Sequence, residues 1–148
     1  MRTLIVGVAL AAVVGGCSGP DANICSAVPH VEDGLGALED HAKNMQDPTW
    51  LERRAAQCVH RWGYRLAKSD DDSLIVAKAV MQACEGAVND HARAQEKIVL
   101  DFHRENSAPS VELMELGERT RNEKLAQMER EAHFRIQQAR AGNCKAPA

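Results

Sequence analysis

Residues 58–84 read CVHRWGYRLAKSDDDSLIVAKAVMQAC, and their pattern decides the fold. Val, Trp and Leu recur at helical spacing before the polar run Ser69-Asp70-Asp71-Asp72-Ser73, and apolar residues recur again after it, so the stretch reads as helix, turn, helix. Asp71 lies midway between Cys58 and Cys84 and falls in the turn. Folding the chain there sets the two sulfurs opposite each other, which predicts a disulfide and pairs the two helices.

Upstream, Leu51, Ala55, Cys58, Val59, Trp62 and Leu66 share one side of a helix that begins at Asp47-Pro48 and runs to about Lys68. Asp supplies the N-cap and Pro suits the first helical position. Arg54, Arg61, Arg65 and Lys68 lie beside that face; the functional reading of the stripe is a contact with anions or peptidoglycan, and a solvated edge that pairs with acidic neighbours is the ordinary account. An earlier helix is expected over residues 31–45, with Val31, Leu35, Leu38, Ala42 and Met45 on one face and Gly34 and Gly36 weakening it.

Downstream, Asp70, Asp71 and Asp72 complement the positive end of a third helix. Its stripe is Leu74, Ala77, Met81, Cys84, Val88, His91, Gln95, Ile98 and Phe102, steps of three and four that predict one unbroken helix to about Asn106. Ser107-Ala108-Pro109-Ser110 ends it. A fourth helix follows to about Ala141, carrying Val111, Met114, Leu125, Met128, Ala132, Ile136 and Ala139, with Glu118 and Arg121 interrupting the stripe; Gly142-Asn143 closes it. Glu131 and Arg135 are spaced as an ion pair on its exposed side.

Only 3% of the chain is aromatic, and a core of Ala, Leu, Val and Met suits close-packed helices. The expected fold is all-α: an antiparallel four-helix bundle in which the two long helices form an extended hairpin. Reflecting Cys25 about the turn at Asp47, and Cys144 about Ala108, brings both to the same end, so Cys25 pairs with Cys144 as Cys58 pairs with Cys84. The first two helices are too short to cover the others. Ile98, Val99, Leu100 and Phe102 are therefore expected to face Val111, Leu113, Met114 and Leu116 at an uncrosslinked tip, a candidate partner surface or homodimer contact.

The N-terminus has a basic start at Arg2, an apolar run over 4–14 and small residues at Gly15-Gly16. Val14-Gly15-Gly16-Cys17 resembles the lipobox of bacterial lipoproteins. That resemblance implies removal of residues 1–16, acylation of Cys17, a tether over 17–29 and a helical domain over 30–148. Ser18 in place of Asp favours an outer-membrane lipoprotein facing the periplasm over an inner-membrane one. Removal of Arg2 leaves 17 basic against 21 acidic side chains, which gives nucleic acid nothing to bind. The exported chain keeps four cysteines for two disulfides once Cys17 is acylated.

C-V-H-R-W-G-Y-R-L-A followed by A-K-A-V-M-Q-A-C also resembles a pattern in small exported helical proteins of bacteria with paired cysteines, and it brings no activity with it. Spacings for haem attachment, zinc, a di-iron centre, a phosphate loop or a nucleophile elbow are absent from the sequence. No cofactor and no enzymatic role are expected. The expected function is protein–protein contact in the cell envelope, from a membrane anchor. The first alternative is metal binding or sensing, with His91, or His41 and Met45 four residues apart, as ligands. Inhibition of an envelope enzyme is a second. For His91, a register-setting polar residue in the seam is the simpler account.

Overall fold

The computed structural model describes Cys25, residues 44–106, residues 110–142 and Cys144. The expected leader over 1–16, the expected acylation site Cys17, the expected tether other than Cys25, His41 and all but the end of the expected first helix lie outside the described residues. Four helices make up the rest: α1 (Pro48–Leu66), α2 (Ser73–Ala83), α3 (Glu85–Glu105) and α4 (Ser110–Gly142). They form an all-helical bundle with no strand among the described residues.

Each boundary has a local cause. Asp47 caps α1 by accepting from the Thr49 amide at 2.9 Å, with Pro48 in the first turn, as the sequence predicts. Asp72 does the same for α2, accepting from the Leu74 amide at 2.8 Å. The Asn106 side chain donates through Nδ2 to the Phe102 carbonyl at 2.7 Å and satisfies one of the last carbonyls of α3. The end of α1 is held from a distance. Arg140, in the last turn of α4, donates to the carbonyls of Ala67 (3.1 Å), Ser69 (2.6 Å) and Asp71 (2.8 Å). One guanidinium thus gathers the turn that the sequence places between the paired cysteines.

The expected third helix is two helices, α2 and α3, which meet at Cys84 with φ −105° and ψ 11°. The Cys84 amide still donates to Val80, and the Cys84 carbonyl still accepts from Val88, each at 3.0 Å. The interruption is therefore local, and it falls on the residue tied to Cys58. The Cα atoms of Cys58 and Cys84 are 5.8 Å apart and those of Cys25 and Cys144 are 5.6 Å apart. Both distances suit disulfides, in the pairing the sequence predicts. Two disulfides point to a non-cytoplasmic, oxidising compartment. Among the described residues no helix is long and apolar enough to cross a membrane.

The core is built from small side chains. Ala55, Val59, Ala77, Val80, Val88, Ala92, Ala132 and Ile136 are at most 1% exposed. Small residues let the helix axes approach, and Gly63 shows how closely: a Cβ placed there would lie 2.9 Å from the Cβ of Arg135 on α4. Beside that contact Tyr64 donates to Gln138 at 2.8 Å, Arg135 donates to Gln138 at 3.0 Å, and Arg135 pairs with Glu131 as their spacing suggests. His60 and Tyr64, which lie outside the expected stripe, are each 2% exposed and meet edge to face.

The heptad stripe of α2 and α3 is buried only in its middle. Ala77, Cys84, Val88 and His91 are covered, whereas Leu74 (57% exposed), Ile98 (45%) and Phe102 (63%) are not. Val76 and Val80 take the inward positions near Leu74. A strict seven-residue repeat drifts by about 20° per heptad around a straight helix. Over the four heptads from Leu74 to Phe102 the line rotates too far to face one partner throughout.

Candidate functional site

The last two turns of α3 and the first turns of α4 carry the candidate surface. Here Ile98 (45%), Phe102 (63%), Val111 (64%) and Met114 (70%) are exposed. Along α3, Ile98 is about 20 Å from Cys84 at the usual rise, so the surface stands well away from that disulfide.

The structure divides the expected apolar tip between two grooves. Leu100 of α3 joins Val111, Leu113, Met114 and Gly117 of α4 in an open groove of about 570 Å³, rimmed by Glu96, Arg104, Glu118 and Arg121. Gly117 permits this approach, because a Cβ there would lie 3.4 Å from a Leu100 methyl and 3.1 Å from a Glu96 carboxylate oxygen. Ile98 does not share that groove. It lies with Met45, Pro48, Leu51 and Ala94 in a second groove of about 540 Å³ between α1 and α3. The expectation that Ile98 faces Leu113 and Met114 is corrected here: residues 98 and 100 point to different sides of one helix, and sequence proximity concealed this. Phe102 stays exposed, with its ring edge-on to His103.

Charges frame both grooves without a dominant sign. Lys97 and Arg104 both reach Asp101, the former at 2.5 Å, and the hydrogen bond from Lys97 holds the Asp101 carboxyl below its ordinary pKa. Arg54 pairs with Asp90 at 3.1 Å across α1 and α3 and lies over the Trp50 ring, while Arg65 lies over Trp62. The basic stripe of α1 thus behaves in part as the solvated, paired edge that its spacing suggests.

Of the metal candidates, Met45 is half-buried, and its sulfur accepts from Arg54 at 3.6 Å. His91 is 3% exposed in the core, and its Nδ1 has no hydrogen-bond partner among the described residues. Burial lowers its pKa; the Glu52 carboxylate opposes that effect and Lys124 reinforces it. No three His, Cys, Asp or Glu side chains gather into a metal-holding group among the described residues.

Two features escaped the sequence reading. A groove of about 510 Å³ runs between α2–α3 and α4, with Met81, Val88 and Leu125 along it and Lys78, Glu85 and Glu129 at its edges. Ile75 (62%) and Phe134 (51%) are exposed as well. Phe134 belongs to no expected stripe, and its neighbour Arg135 lies over its ring.

Comparison with protein-family models, with curated proteins and with solved structures finds no match for this chain. Any functional reading therefore rests on the chain's own residues.

Proposed function

We propose that this chain is a lipid-anchored envelope protein that faces the periplasm, without enzymatic activity, and acts by protein–protein contact through the end of the bundle formed by α3 and α4. The observation that carries the reading is the exposure of Ile98, Phe102, Val111 and Met114, four large apolar side chains at the end remote from both disulfides. Concentrated apolar exposure of this kind usually marks an interaction surface.

Three further points support the reading. The Arg2 start, the apolar run and the Gly15-Gly16-Cys17 sequence agree with lipidation at Cys17 and an outer-membrane anchor. The disulfides agree with an exported location. The pairs Cys58 with Cys84 and Arg54 with Asp90, then Ser73 with His133 and Gly117 with Leu100, run in opposite numerical order on facing helices. That order supports an antiparallel bundle whose longest pair extends past α1 and presents the apolar end away from both disulfides.

The test is photo-crosslinking from positions 102 and 114 in intact cells of the source bacterium. The reading expects a discrete envelope protein or a second copy of the chain, identified by mass, and the product formed from position 102 should disappear when Met114 is changed to Glu. Diffuse capture alone would refute it. A stoichiometric, tight site for copper, zinc or nickel on the purified chain would replace it with the metal-binding alternative. Labelling with palmitate, lost in Cys17→Ser, tests the anchor.

A further inference from the structure

His91 sits where the disulfide-held part of the bundle gives way to the apolar end. It is 3% exposed, its Nδ1 is without a hydrogen-bond partner among the described residues, and it follows Asp90, whose ion pair with Arg54 spans α1 and α3. The charged groups that act on it from the packed helices are Glu52 of α1 and Lys124 of α4. Immediately beyond, α1 and α3 part around the groove lined by Leu51, Asp90 and Ile98.

We propose that His91 is a proton-sensitive joint: protonation of its ring loosens α1 from α3 at this end and widens the groove beside Ile98, while the two disulfides hold the opposite end closed. A neutral imidazole is tolerated in an apolar setting. The imidazolium places a charge and a second N–H donor in this buried position, where Nδ1 has no partner among the described residues. Glu52 is the one acidic group among those acting on it from α1 and α4, and burial outweighs it. The contact between α1 and α3 yields first because nothing covalent joins these helices beyond Cys58 and Cys84 on this side.

The direction in pH follows from linkage. The unfolded or opened form binds a proton at the ordinary imidazole value of 6.5, and the closed form binds it only at lower pH. The stability that neutral His91 lends to closure is therefore fully present above 6.5 and is lost as pH falls below it, the ratio of open to closed rising about tenfold per pH unit until the buried value is reached. The inference stands whether or not the apolar end binds a partner.

The experiment is performed on the full chain with both disulfides intact. Carbon-resolved NMR of the histidine rings reads the His91 titration directly, and the expected midpoint lies below 6.5. Hydrogen exchange, corrected for the intrinsic effect of pH, is expected to accelerate on acidification over residues 48–56 and 90–101, with residues 76–83 and 132–139 unchanged. His91→Asn and His91→Leu should remove that acceleration. A midpoint at or above 6.5, acceleration spread over the whole bundle, or the same acid response in a folded His91 variant would each overturn the proposal. The titration of the unsubstituted chain decides the matter even if both variants fail to fold.

Discussion

Gly63→Ala and Gly86→Ala make the same chemical change in two helices and are expected to move stability in opposite directions. At residue 63 the new methyl would lie 2.9 Å from the Cβ of Arg135. Non-bonded carbons rest about 3.5–4.0 Å apart, so the methyl intrudes by about half an ångström or more. The obstructing atom is a Cβ fixed to the α4 backbone and has no rotamer to escape into. The helices must move apart, disturbing the bonds among Tyr64, Gln138 and Arg135. Overpacking of this kind costs about 1–3 kcal/mol, against a gain of up to about 1 kcal/mol from replacing glycine within a helix. The net expectation is a loss of about 1–2 kcal/mol. At Gly86 a Cβ meets nothing within 4 Å, so only the helical gain remains, up to about 1 kcal/mol. Urea unfolding followed by far-UV circular dichroism measures both, with an unchanged m-value required for the comparison. Midpoints that rise equally in the two variants would refute the close approach of α1 and α4.

Three other outcomes are expected. In the chain-entropy estimate, removing the Cys25–Cys144 pair, separated by 119 residues, costs about 4.9 kcal/mol, and removing Cys58–Cys84, separated by 26, costs about 3.5 kcal/mol; double Cys→Ala variants in urea should show that order. Arg140→Ala should cost about 1–2 kcal/mol and speed amide exchange in the last turn of α1, since three carbonyls lose a shared donor; Arg140→Lys should recover only part of this, because an ammonium lacks the planar fork. Met114→Glu at a 70% exposed position should leave stability within about 0.5 kcal/mol while abolishing specific crosslinking from the apolar end; a large fall in the unfolding midpoint would show that this side chain serves the fold instead.

The sequence by itself determined the local and the symmetric features. Asp47-Pro48 and Asp72 start helices because their side chains cap the first amides wherever the chain goes next. Cys58 pairs with Cys84 because a turn midway between them leaves the sulfurs little choice, and Cys25 with Cys144 follows from the same reckoning. The inward positions Leu51, Ala55 and Val59 were likewise legible from period alone. Tertiary structure decided which part of each stripe is covered. Leu74 is exposed while Val76 and Val80 are buried, and Ile98 and Leu100 separate into different grooves, because coverage depends on the length and approach of neighbouring helices. The division at Cys84, the contact at Gly63 and the reach of Arg140 to the Ala67 carbonyl belong to the same class. Each joins residues on different helices, and a pattern confined to one helix carries no record of the partner that will lie against it.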